Sequence, residues 1–142
     1  MTDQELATKT KEAMFKNDFK AHEMGIEITD IKPGYARATM LVKKSMLNGH
    51  GSTHGGTTFS LADTAFAYAC NSHNKVTVAA GCDITFSAPS FEGDILTAEA
   101  KETLLNGRSG IYDVIITRGD GEVVALFRGR SRTIKGEVIK ND

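Results

Sequence analysis

Residues 35–42 alternate without interruption, with Ala36, Ala38, Met40 and Val42 on one side and Tyr35, Arg37, Thr39 and Leu41 on the other. A two-residue period is that of a strand with one buried face. Residues 24–31 (MGIEITDI) alternate in the same way, with Met24, Ile26 and Ile28 on one face. Pro33-Gly34 between the two runs is a turn signal, so the pair predicts an antiparallel hairpin. Ahead of it, residues 3–20 scatter Leu6, Met14 and Phe15 among Lys and Glu, which predicts one weakly amphipathic helix on the domain edge.

Residues 47–56 (LNGHGSTHGG) break every period. Four glycines and two histidines there predict a loop of unusual backbone freedom. Residues 57–71 (TTFSLADTAFAYACN) then read as a helix that is apolar or small on nearly every side, hence buried over most of its circumference. Four strands follow, over residues 76–87, 95–104, 111–118 and 123–134. Asn106-Gly107 and Gly119-Asp120-Gly121 supply tight hairpin turns. The predicted layout is a helix, two strands, a central helix and four strands, with an antiparallel sheet wrapped around the central helix. No linker or repeat interrupts residues 1–142, so they are expected to form a single domain with its core over about 20–134.

Composition narrows the function classes. The 142 residues are 40% apolar and 25% charged, as in a globular domain. Seventeen Lys and Arg stand against 18 Asp and Glu, a balance that offers neither nucleic acid nor an anionic membrane a basic surface. Residues 1–19 are polar with charges of both signs, and no apolar run is long enough to span a bilayer. The expectation is a protein of the reducing cytoplasm. Cys70 and Cys82 match neither a zinc knuckle nor a disulfide framework and read as two buried small residues. His50 and His54 have the spacing of a metal pair on one helix face. The glycines at 49, 51, 55 and 56 argue against a helix there, so no metal is expected. His22 and His73 read as ordinary surface or edge histidines.

The central helix carries one charge, Asp63. A buried carboxylate is costly unless it is paired or working. Either Asp63 caps or pairs with a neighbouring segment, or it faces a cleft with its pKa tuned by burial. No Lys or Arg lies within one helical turn of it, which favours the second reading. Gly55-Gly56 stands where the helix begins. Helix-start amides lack partners, the dipole there is positive, and glycine leaves the backbone open to a ligand oxygen that gains negative charge. Gly55 and Asp63 are eight residues apart, roughly 12 Å along a helix. One carbonyl carbon cannot be reached by both groups of one helix, so a joint site needs two subunits.

The stretch from Asn48 to Asp63, NGHGSTHGGTTFSLAD, resembles the signature of the hotdog-fold acyl-CoA thioesterases of the PaaI (phenylacetic acid degradation) type. Phe86-Ser-Ala-Pro89, Gly93-Asp94 and the segment from Asn106 to Gly110 match in kind and order, so the resemblance spans about residues 20–133. It implies an α+β hotdog fold: an antiparallel β-sheet around a central α-helix, with an N-terminal helix. The implied activity is hydrolysis of an aromatic or medium-chain acyl-CoA to free acid and CoA. Asp63 would act as nucleophile or general base, and the Gly55 N–H would polarise the carbonyl from the other subunit. Asn48 would orient substrate or water, and His54 would hold the loop or assist near the thiolate. Substrate contacts are expected from Gly56, Phe59 and Phe86. They are also expected from Asn106, Gly107, Arg108 and Ser109, with Arg128, Arg130 and Arg132 as further partners for the CoA phosphates or simply solvated charges. Phe59, Phe66 and Tyr68 line an acyl pocket or belong to the core. The resemblance further implies a homodimer assembling to a homotetramer and no cofactor beyond the CoA of the substrate. Some relatives carry a hydroxyl on the strand after the central helix. Ala79, Ala80 and Gly81 stand there in this chain, leaving Thr77 as a stand-in.

Two other readings stay open: a hotdog acyl-CoA hydratase or dehydratase, built on His54 and Asp63, and a non-catalytic acyl-CoA-binding domain. Thiol release from assorted acyl-CoAs separates both from hydrolysis.

Overall fold

In a computed structural model that describes residues 1–140, one six-stranded antiparallel sheet in the order β1-β2-β4-β5-β6-β3 curls around a 17-residue helix. The strands are β1 (Glu27–Lys32), β2 (Tyr35–Leu41), β3 (Lys75–Phe86), β4 (Ile95–Asn106), β5 (Ser109–Thr117) and β6 (Val123–Glu137). The central helix is α3 (Gly55–Asn71), preceded by α1 (Asp3–Lys16) and α2 (Phe19–Met24). From β1 onward this is the element order and the wrapped-helix layout expected above.

Small side chains let the sheet approach the helix. Ala36 pairs with Ala100 and Ala38 with Ala98 across β2 and β4, and all four are fully buried. Ala62, Ala65 and Ala69 of α3 are fully buried as well. Phe66 then fills the deeper space, packing on Phe127 and Tyr112 with ring centroids 5.8 and 5.7 Å away. It lies flat against Gly129, where an added Cβ would stand 2.7 Å from two of its ring atoms. Gly129→Ala is therefore expected to destabilise the protein by ~1–3 kcal/mol through overpacking. Urea denaturation would measure it, with Gly129→Ala/Phe66→Leu recovering part of the loss if the contact is the cause.

The leading helix is two helices. Asn17 N–H turns back to Met14 O, three residues away, and ends α1. The Asp18 carboxylate accepts the Ala21 N–H at 3.2 Å and caps the start of α2. His22 packs its ring at a tilt against Phe15, with centroids 4.3 Å apart, and donates to the Phe15 carbonyl at 2.7 Å, which locks the break. Gly25, at φ 68°, then stops α2, so Met24 is helical and β1 begins at Glu27. A bulge between Ile28 and Asp30 turns Ile31 into the core, against strict alternation. Cys70 is buried as expected, but Cys82 is only half-buried, because β3 is an edge strand.

Candidate active site

His54 caps α3, accepting the Gly56 N–H on Nδ1 at 2.9 Å. Its carbonyl accepts the Thr57 and Thr58 N–H groups at 2.9 and 3.2 Å. The helix therefore starts at Gly55 rather than at Thr57. Of its first four amides, the Gly55 N–H alone has no hydrogen-bond partner among the described residues. It is an orphan donor at the positive end of a long helix dipole. Gly56 is exposed, and its amide is consumed by the cap.

The loop before the helix is closed by Asn48. Its Oδ1 accepts from the His50 and Ser52 amides at 2.8 and 3.3 Å, and its Nδ2 donates to Ser52 Oγ at 3.1 Å. A second loop braces the first. Thr53 N–H donates to Ser90 O at 2.8 Å, and Ser90 Oγ donates to Thr53 Oγ1 at 2.6 Å, both residues being buried. Arg118 holds this second loop from outside through Pro89 O at 2.9 Å. Between them opens a cleft of about 450 Å³ lined by Asn48, Gly55, Thr58, Phe86, Pro89 and Val124 among others. The Phe86 ring lies across Gly55, its Cζ 3.1 Å from where a Cβ would be. Gly55 is outside the left-handed region, so the ring, not the backbone, is what a side chain at 55 would meet.

Asp63 lies two turns further along α3, half-buried, and is not part of that cleft. It shares a partly open stripe with Gly56, Ser60, Thr64 and Ala67, so α3 is less enclosed in one chain than its composition predicts. Burial holds the Asp63 carboxyl above the usual carboxylate range. Among the described residues no side chain or amide bonds it or forms an ion pair with it. The nearby hydroxyls face elsewhere, Ser60 donating to Gly56 O and Thr64 to Ser60 O. Cys70 and Cys82 flank it: burial pushes both thiols up, Cys70 to about 12, and the Asp63 charge adds to both. Thr77 is no stand-in hydroxyl. It is buried, donates to Lys75 O at 2.8 Å and lies 3.2 Å from Thr133 Oγ1.

The structure thus brings Asn48, Gly55 and Phe86 to one cleft and leaves the other expected contacts apart. Phe59 packs edge-on against Phe127, with centroids at 5.4 Å, and lines no part of the cleft. Phe66 and Tyr68 are core, the Tyr68 hydroxyl donating to Asp18 at 3.0 Å. Asn106, Gly107, Arg108 and Ser109 form the exposed β4–β5 hairpin end, where Asn106 and Ser109 border a separate hollow with Arg130 and Arg132. Arg128 is engaged by Asp113 in a two-point ion pair, and Arg130 by Asp83. These cross-strand pairs answer much of the charge on the last strand. His73 is not an ordinary edge histidine, being half-buried and 2.8 Å from Glu102, which also accepts from Tyr112. The braces missed by sequence reasoning, Thr53–Ser90 and Arg118–Pro89, join residues 37 and 29 positions apart and leave no local pattern.

Comparison with known proteins places the chain. The thioesterase superfamily pattern matches residues 50–125. The chain is 48% identical over 132 residues to the acyl-coenzyme A thioesterase PaaI of Escherichia coli, covering 93% of this chain and 94% of that one. The structure of the E. coli PaaI protein superposes with a TM-score of 0.94 at 46% identity, over 96% of this chain and 99% of the other. A hypothetical thioesterase protein from Streptococcus pneumoniae, solved with coenzyme A, matches with a TM-score of 0.75 at 25% identity over 79% and 90% of the two chains. The chain belongs to the thioesterase superfamily, among the PaaI-type hotdog-fold acyl-CoA thioesterases.

Proposed function

We propose that this protein hydrolyses acyl-CoA thioesters at a site shared by two subunits, each giving the Gly55 amide to one site and Asp63 to the other. The observation that carries this is the separation of the two groups. The free Gly55 N–H opens on a cleft that Asp63 of the same helix does not line. A second copy supplies what is missing. The β1 edge of the sheet is covered by α1, where the Gln4 side chain donates to Ile31 O at 2.8 Å. The β3 edge is open over 12 residues, with Val78 and Phe86 exposed, and open edges pair. β3 runs alongside α3, from Thr77 at Asn71 to Phe86 at Gly55. A twofold axis at β3 therefore sets two α3 helices antiparallel, their stripes of small residues facing. Each helix start then approaches the other helix's Asp63. A homodimer is the minimum, and a homotetramer follows the family.

In this reading the Gly55 amide bonds the thioester oxygen and stabilises the charge that grows there. Asp63, with its proton affinity raised by burial, takes a proton from the attacking water or attacks the carbonyl carbon itself. The C–S bond breaks and CoA leaves as thiolate. Asn48 keeps one Nδ2 proton beyond its bond to Ser52 and faces the same cleft, where it can orient substrate or water. His54 acts through the helix start, its unprotonated Nδ1 holding the Gly56 amide. An aromatic or medium-chain acyl group fits a cleft walled by Phe86, Pro89 and Val124. The hairpin at 106–109 remains the candidate contact for CoA phosphates. Coenzyme A bound to the S. pneumoniae relative supports this substrate class. A reducing cytoplasm suits two free thiols, and among the described residues no helix is long and apolar enough to cross a membrane.

The test mixes two inactive chains. Asp63→Asn and Gly55→Pro chains, co-refolded, should regain activity because a mixed dimer holds one intact site. Activity that never returns in dimers of proven mixed composition excludes a shared site. Absence of thiol release from any acyl-CoA by wild type excludes hydrolysis and leaves the hydratase and binding readings.

A further inference from the structure

Thr58 is 2% exposed and borders the Gly55 cleft. The cleft's other polar side chains each have at least one protein partner. Asn48 bonds Ser52, Thr53 bonds Ser90, and Ser87 bonds Val123 O. Among the described residues no hydrogen bond reaches the Thr58 hydroxyl.

A threonine within a helix ordinarily donates to the carbonyl four residues back. Thr10 does so to Leu6 O and Thr64 to Ser60 O. Thr58 would need His54 O, and that oxygen already accepts the Thr57 and Thr58 amides. Its two lone pairs are spent, and the hydroxyl is left over. No fully buried side-chain nitrogen or oxygen lacks a partner among the described residues. The Thr58 hydroxyl therefore keeps an opening, and the cleft is the space this residue lines.

Its direction follows from helix geometry. Residue 58 lies on the same face as residue 55, one turn later, and helical side chains lean toward the N-terminus. The Thr58 side chain thus leans toward the helix start, where the Gly55 amide is free. We propose that the Thr58 hydroxyl is a second donor to the thioester carbonyl oxygen, acting beside the Gly55 N–H. This rests on the thioesterase reading above. A buried hydroxyl with no protein partner is satisfied when a substrate oxygen arrives, and a bond that tightens as that oxygen gains charge speeds the reaction.

Thr58→Val keeps the shape and removes the hydroxyl, while Thr58→Ser keeps the hydroxyl. Thr58→Val should lower kcat on the order of 10²-fold on every acyl-CoA tried, with KM little changed. Thr58→Ser should keep most of the activity. The melting temperature of Thr58→Val should equal or exceed that of wild type, since no protein bond is lost. A merely structural threonine would give the opposite pattern. Wild-type kcat in Thr58→Val overturns the proposal. So does a loss in Thr58→Ser equal to that in Thr58→Val, or one matched by a fall in melting temperature. A loss confined to acyl groups with polar substituents overturns it too, because the hydroxyl would then read the acyl group and not the carbonyl. A wild type that releases no thiol removes the thioesterase reading and this proposal together.

Discussion

Asp63→Asn is expected to lower kcat by at least ~10²-fold, with KM little changed and assembly intact. The carboxamide matches the carboxylate in size but neither takes a proton at neutral pH nor attacks a carbonyl carbon. Stability should move the other way. Burial raises the Asp63 pKa in the folded chain, so the folded state holds this proton to higher pH than the unfolded one. The stability linked to the group is full below the unfolded pKa of about 4 and is lost as pH rises through the folded value. At pH 7 the wild type carries that cost and the asparagine variant does not. Thermal unfolding across pH should find Asp63→Asn at least as stable as wild type at pH 7, the margin shrinking toward pH 4. The acid limb of the wild-type kcat profile should lie above the usual carboxylate range. Near wild-type turnover in Asp63→Asn would end the carboxylate's catalytic role, and a variant that fails to fold would make Asp63 structural.

Gly55→Pro should lower kcat ~10²–10³-fold relative to Gly55→Ala, the ~2.7–4 kcal/mol of one lost oxyanion donor. Both variants add a Cβ that meets the Phe86 ring at about the same 3.1 Å. Alanine reports the cost of moving that ring, and proline adds loss of the N–H. Proline is compatible with the first helical position, and His54 at φ −59° and ψ 134° has the extended backbone that a residue before proline favours. Melting temperature and oligomer size must be measured alongside, since a collapsed loop would mimic the effect. If Gly55→Pro matches Gly55→Ala in kcat, the amide has no catalytic part, and the Thr58 hydroxyl and Asn48 are left to polarise the carbonyl.

Much of this site is legible along the chain because it is built from local rules. Gly55 at a helix start and Asp63 eight residues on already give the reason for proposing a site shared by two subunits, since helical rise is the same in every helix. Apolar spacing misleads where a polar group competes for the backbone or a hydroxyl, whether near in the chain or far from it. The apolar spacing of residues 3–20 suits one helix. The Asp18 carboxylate nonetheless takes the Ala21 amide, and His22 folds back onto Phe15. Thr77 has the position and chemistry of an active-site hydroxyl, and Lys75 O together with Thr133, 56 residues away, removes it from use.

The order of elements from β1 onward, the pleated faces of β2, the hairpin turns and the lone carboxylate on a small-residue helix are written in the chain itself. Those follow from side-chain period and turn chemistry, which act over a few residues. Which polar groups are occupied and which are free depends on the packing of distant segments. Two loops meet through the buried Thr53 and Ser90, one histidine carbonyl accepts two amides, and among the described residues the Gly55 N–H and Thr58 hydroxyl are left unbonded beside one cleft. Hydrogen-bond partners are assigned by proximity in space, and a donor's freedom depends on every acceptor that folding brings within about 3 Å of it.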